Sequence, residues 1–266
     1  EPETKYYGLS QYYMGKYYNF NDSTRNAETC FKNAIKNAKD RGDIDLQCFA
    51  LEKLSRSIVL GNTPIALSYA KQALELYKRS PNFKVDNLIY FMLNVAENFV
   101  IDKSKDSALT YLWQAKSLMT NTTDVLVKKD VYHSLSRAFY YFDVNDSALF
   151  YSQRTLQLVN DVKLLSFHAY CLIECDSLES AERLLRISSA KISDKQKYSS
   201  YMELCKLSCK KNNNRQLSDD IDSLERYAEK YMLDLYSQKG KYFEETINQG
   251  RQLERQENAV MVRNGV

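Results

Sequence analysis

Glycine and proline are scarce in this chain, seven and three among 266 residues, against a usual combined share of about 12%. Sandwiches, barrels and propellers need those residues at positive φ and at the start of tight turns, so turn-rich folds are excluded. No glycine pair is spaced to cradle a phosphate, which removes dinucleotide-binding and P-loop sites. Six cysteines are too few for a disulfide framework at this length. Only two histidines are present, and neither has the Glu-x-x-His or His-Glu-x-x-His spacing that holds a metal on a helix. No uncharged apolar run approaches the ~18 residues that a bilayer span needs. An excess of one charge is missing too: 37 Lys and Arg face 34 Asp and Glu, a net of +3. A dedicated nucleic-acid binder shows a denser basic stripe, so no direct nucleic-acid contact is expected. The short basic clusters Lys128-Lys129, Lys191 to Lys197 and Lys210-Lys211 read as solvated helix faces. The chain starts at Glu1 with no initiator Met, as a processed protein or an excised piece would.

What is present is a globular composition, 44% hydrophobic and 27% charged, organised as a repeat. A small residue, one four on and another three later recur as Ala27, Phe31, Ala34, then as Ala66, Ala70, Ala73. The pattern returns as Ala108, Leu112, Ala115, as Ala148, Ser152, Thr155 and as Ala181, Leu185, Ser188. That spacing puts each triplet on one helical face, where small side chains let a second helix approach closely. Upstream of the triplets stand Gly15, Leu54, Ala96, Ser136 and Ala169, followed one turn later by Tyr18, Ser57, Phe99, Phe139 and Leu172. Each unit thus reads as a helix A with a small-then-large pair and a helix B with the triplet. The first alanines stand roughly 33 to 42 residues apart, a drift that suits helical hairpins with variable loops. Asp-Ser pairs precede or open helix B at Asp22-Ser23, Asp106-Ser107, Asp146-Ser147 and Asp176-Ser177. They read as N-caps. In the second unit Thr63 is the expected cap, with Pro64 at the first helical position.

With Gly15, Tyr18, Ala27, Phe31 and Ala34 in the first unit, and degenerate copies through residue 192, the pattern resembles the tetratricopeptide repeat (TPR) family. The large aromatic that usually opens helix A and the Pro that usually closes a unit are mostly missing. The resemblance implies an all-α, right-handed solenoid of antiparallel helix pairs, five to six units over 1–215, with a C-terminal capping and linker helix over 216–266. A sixth pair would use Lys195–Lys211 and a helix after Leu217. Ile221, Leu224, Ala228, Tyr231 and Leu235 form a heptad-like seam for the cap. Beyond Gly240 apolar residues thin out.

Chemistry is sparsely represented. His168 aligns with Met14, Val95 and Leu135, an inward-facing series, and is expected in the core. His133 aligns with Tyr12, Leu51, Leu93 and Ser166, and Arg137 lies one turn on. No Ser or Cys nucleophile motif accompanies them, so neither an enzyme nor a cofactor is expected. Cys171/Cys175 and Cys205/Cys209 are each four apart on one helix face. Zinc ligands usually sit in turns or knuckles, so these read as buried, unpaired thiols and no metal is expected.

Binding is better supported. The resemblance implies a concave groove lined by the A helices that takes a peptide or protein segment. Its floor would comprise Tyr12, Lys16, Tyr90, Glu97, His133, Arg137, Tyr140, Tyr141 and Tyr170, since Tyr and Arg offer large contact area with a polar end. Tyr6, Tyr7, Tyr12, Tyr13, Tyr17 and Tyr18 fall on several faces and read as packing around the first hairpin. The resemblance further implies the sensor module of a bacterial envelope-associated regulator, on the extracytoplasmic, periplasmic side. A carbohydrate-handling envelope lipoprotein and a cytoplasmic peptide-responsive regulator are the alternatives.

Overall fold

A computed structural model describes residues 6–21, 23–58, 61–190 and 194–229. Among the described residues the chain is helical throughout, with no strand. The helices are α1 (Tyr7–Phe20), α2 (Thr24–Arg41), α3 (Ile44–Ile58), α4 (Thr63–Tyr77), α5 (Val85–Ile101) and α6 (Lys105–Leu118). A 3-10 turn at Met119–Asn121 leads to α7 (Val125–Tyr141), α8 (Asn145–Leu158), α9 (Val162–Glu174), α10 (Leu178–Ser189) and α11 (Asp194–Lys210). A further helix, α12, covers 214–229.

The chain divides into two compact units, residues 1–175 and 176–266. In the first, α1/α2, α3/α4, α5/α6 and α7/α8 are hairpins, and α9 packs on α8. The odd-numbered helices also touch in series, α1 with α3, α3 with α5 and α5 with α7. Helices that close up in this way line the inner side of a curved stack. In the second unit α10 packs on α11. The side chain of Asp220, 2% exposed, accepts hydrogen bonds from Ser208 at 2.9 Å and Gln216 at 3.2 Å and faces Arg186.

The repeat is the core. Every member of the five small-residue triplets is at most 2% exposed. Close approach is visible at Gly15, where an added Cβ would lie 2.6 Å from the Phe31 ring. Ser55 and Ser136 donate their hydroxyl protons to the carbonyls that open the facing triplets, Ala66 at 2.8 Å and Ala148 at 2.6 Å. Ser55, not Leu54, is therefore the small residue of the second hairpin, whose connection is one residue shorter. Leu54 instead joins Ala27 and Phe31 in the first hairpin's core.

Of the expected Asp-Ser caps, Ser23 and Ser177 are the N-cap residues of α2 and α10, without a side-chain cap hydrogen bond, and the other two pairs are displaced. Asp106-Ser107 and Asp146-Ser147 lie inside the first turns of α6 and α8, whose N-caps are Ser104 and Val144. There the carboxylates face the positive end of the helix dipole rather than capping it. Asn62, one residue before Thr63, caps α4 by accepting from the Ile65 amide at 3.3 Å, and Pro64 is the second helical residue. Asp22 lies outside the described residues. Chain reversal is achieved by left-handed residues: Lys103, Asp143, Asp176 and Asn212 have φ of 60°, 56°, 55° and 52°. After Lys103 the Ser104 amide returns to the Phe99 carbonyl at 2.9 Å, and after Asp143 the Val144 amide returns to Phe139 at 2.9 Å. This is the Schellman closure that glycine normally serves. Among the described residues only Gly42, φ 68°, fills that role as a glycine.

At α1 the aromatic packing is looser than expected. Tyr6, Tyr13 and Tyr17 are exposed, as are Phe20 and Met14, because no described hairpin precedes α1 to cover that face. Of the C-terminal seam, Ile221 is exposed and Leu224 and Ala228 are half-buried. Tyr231, Leu235 and Gly240 lie outside the described residues.

Candidate functional site

The inner faces of α1, α3, α5 and α7 enclose a cleft of about 570 Å³. Tyr12, Lys16, Tyr90, Glu97, His133 and Arg137 all line it. A second cavity of about 630 Å³ runs on towards the C-terminal ends of α5 and α7, sharing Arg56, Leu93, Glu97, Ser134 and Arg137 with the first. Tyr141 lines this second chamber. Tyr140 and Tyr170 line neither. Their rings turn instead to Phe167, at 5.6 and 6.3 Å, where they fill the space between α7 and α9.

Two rows across the helices build the cleft. The residue after each small position contributes Lys16, Arg56, Glu97 and Arg137, and the row one turn earlier contributes Tyr12, Glu52, Leu93 and His133. Side chains four apart share a helix face, so each row continues the other. Glu52 and Arg56 escaped the sequence reading because counting from Leu54 put Leu51 in their register. Leu51 is buried in the core. The signal was Ser55, a small residue next to Leu54 whose hydroxyl meets the Ala66 carbonyl.

The rows are bound by charge. Arg56 Nη1 pairs with Glu97 Oε2 at 2.6 Å, and Arg137 Nη1 pairs with Glu97 Oε1 at 3.1 Å. Arg56 Nε also meets Glu52, whose other oxygen takes Lys53 at 2.9 Å. Glu52 is nearly buried, so removing Arg56 would strand a desolvated carboxylate. Burial works against the Arg56 charge, but Glu52 and Glu97 outweigh it and hold its pKa up. Lys16 has no carboxylate partner among the described residues. Its Nζ lies over the Tyr12 and Tyr13 rings at 5.8 and 5.5 Å.

Burial, followed by Arg137 and Lys129, pushes the His133 pKa down to about 4. Burial, with Glu52 and Tyr13 adding, pushes Tyr12 up to about 12, and burial with Asp130 does the same for Tyr90. Near neutral pH the cleft therefore holds a neutral imidazole at His133 and protonated phenols at Tyr12 and Tyr90.

Ser152 and His168 lie 2.7 Å apart, but the serine is buried and its hydroxyl donates to the Leu149 carbonyl at 2.8 Å. The imidazole Nδ1–H then donates to Ser152, so His168 is satisfied, but it is half-buried rather than in the core as expected. Cys171 is buried, 3.9 Å from the Ser136 hydroxyl, whereas Cys175 is half-buried and Cys209 exposed. Among the described residues no group of three or more His, Cys, Asp or Glu could hold a metal ion, and no helix is long and apolar enough to cross a membrane.

No protein-family model and no curated protein matches the sequence. Solved structures do match the fold. BtubC (BKLC) from P. vanneervenii superposes with a TM-score of 0.65 at 10% identity, over 79% of this chain and 92% of that one. A Podosopora anserina kinesin light chain with TPR-like repeats gives 0.56 at 13% identity, over 70% and 96%. A Rap protein complexed with Competence and Sporulation Factor gives 0.67 at 11% identity, over 85% and 65%. At such identities the likeness is one of fold. The chain has a TPR-like, all-α helical-repeat fold.

Proposed function

We propose that the protein is a non-enzymatic scaffold that binds a peptide or protein segment along the cleft of its A helices. The observation that carries this is the convergence of Tyr12, Lys16, Tyr90, Glu97, His133 and Arg137, from α1, α5 and α7, on one preformed cavity. Two phenols and an arginine offer wide contact with polar ends, and a rigid groove loses little entropy on binding. The buried Ser152, whose hydroxyl is taken up by the Leu149 carbonyl, supports a role without catalysis. The Rap protein solved with Competence and Sporulation Factor supports ligand capture on this fold.

Panning the protein against a randomised displayed heptapeptide library tests the reading. Peptides retained by the wild type and lost by a folded Tyr12→Ser/Tyr90→Ser variant are expected. A library that yields no binder, or binders indifferent to that variant, would sink it.

The scaffold is further proposed as the extracytoplasmic sensor of a larger bacterial membrane-associated regulator, with 216–266 as its capping and linker helix. That role is supported by the repeat pattern and its resemblance. A full-length gene with neither a secretion signal upstream nor an apolar span downstream would remove it.

A further inference from the structure

The two chambers differ in character. The first is polar and aromatic, with Tyr12, Tyr90, Asp130 and His133. The second, beyond the charged row, has walls of Ala96, Val100, Ile101, Leu112 and Ala138, with Tyr141 at its edge. Between them stand Arg56, Glu97 and Arg137, which line both, and Lys16 ends that row within the first chamber. The Glu97 carboxylate is fully engaged, one oxygen to each arginine. Lys16 on the first chamber and the exposed Lys103 on the second have no carboxylate partner among the described residues. The other acids of the first chamber are also paired, Glu52 with Arg56 and Lys53, and Asp130 with Lys129 outside the lining, so the cations left without a carboxylate are these two lysines.

We infer that the occupant is an acidic peptide segment in which a carboxylate lies next to one bulky aliphatic or aromatic side chain. The inference rests on the segment-binding reading and names the segment's chemistry. Its carboxylate sits on the cationic row, where it competes with Glu97 for Arg56 and Arg137. Its apolar side chain enters the second chamber on the side of Val100, Ile101, Leu112 and Ala138, where contact with aliphatic walls makes burial favourable. The α5 helix that floors both chambers is about 25 Å long at 1.5 Å per residue, the reach of about seven extended residues. A basic segment would face the unpaired lysines, and a purely apolar one would leave the row desolvated without a partner.

Four blocked synthetic heptapeptides test this by titration calorimetry: Gly-Ser-Asp-Leu-Asp-Ser-Gly, and versions with Asn for both Asp, Lys for both Asp, or Ala for Leu. The acidic leucine peptide is expected to bind about tenfold or more tighter than each of the other three. Lys16→Gln and Arg137→Gln should each weaken it, Arg137→Lys should restore part of the loss, and Glu97→Gln should tighten it severalfold. Lys16 is exposed, so its variant keeps the fold if the arginine variants do not. Equal binding of the charged and neutral peptides overturns the inference, as does preference for the lysine peptide. A short oligothymidylate that displaces the acidic peptide at equal concentration overturns a peptide as the occupant. Library binders that map to the cleft but lack acidic residues remove this inference and leave the scaffold standing. A failure of every peptide, together with an empty library, removes both.

Discussion

The Ser136 hydroxyl donates to the Ala148 carbonyl at 2.6 Å across the fourth hairpin, and both residues have no solvent exposure. The bond fixes the register of α7 on α8. Ser136→Ala loses that bond and should cost about 1 kcal/mol. Ser136→Val adds a branch in the same space and should cost about 2–3 kcal/mol. Urea denaturation of the two variants checks the order, and equal stabilities would contradict it.

Gly15 is defined by its distance to Phe31. A methyl group there lies 2.6 Å from the ring, so Gly15→Ala must displace a fully buried phenylalanine. The expected cost is about 1–3 kcal/mol, although alanine is the better helix former by nearly 1 kcal/mol. A rise in thermal midpoint for Gly15→Ala would show that the hairpin yields.

Asp143 holds φ at 56° without glycine's freedom. Asp143→Gly relieves the left-handed penalty and should stabilise the protein by about 0.5–1 kcal/mol. Thermal unfolding should show a small upward shift. An unchanged or lower midpoint would mean the aspartate side chain supplies compensation of its own.

His133 is held neutral, its pKa moved from 6.5 to about 4. The unfolded chain binds the proton first, so stability is full above pH 6.5 and falls as pH drops towards 4. The loss attributable to this residue is on the order of 2 kcal/mol. His168, also lowered by burial, adds in the same direction. His133→Gln should flatten most of the slope between pH 6.5 and 4, and a slope unchanged by that substitution would refute the assignment.

In the second unit Asp220 is the buried acceptor for Ser208 on α11 and for Gln216 on its own helix, and it faces Arg186 on α10. Asp220→Ala leaves those groups facing an empty site and should cost about 3 kcal/mol or more. Hydrogen exchange should then rise across α10 to α12 while α1 to α9 keep their protection. Uniform loss of protection over both units would contradict a local effect.

The triplets from Ala27 to Ser188 were readable along the chain because helical periodicity is local. Residues four and three apart share a face wherever they occur, and small ones mark the close approach of a partner helix. The same alignment put Tyr12 and His133 one turn before a small residue and Arg137 directly after one, and these three line the cleft together with Tyr90. It failed at Leu54, where a connection shortened by one residue rotates the A helix by about 100° in any alignment counted from Ala66. It also mistook Asp106 and Asp146 for caps, because the left-handed residues that really end the A helices, Lys103 and Asp143, have no glycine to announce them.

Glycine scarcity thus had two sources, an all-helical repeat and turns that place Lys, Asp and Asn in left-handed conformations. Composition and periodicity were enough for the first, since both depend on residues within a few positions of each other. The second, like the row from Lys16 to Arg137, needed the folded chain. Glu97 meets Arg56 and Arg137 only because α3, α5 and α7 stack side by side at one register. That register depends on hairpin lengths and on packing between segments far apart in sequence, which no local pattern encodes.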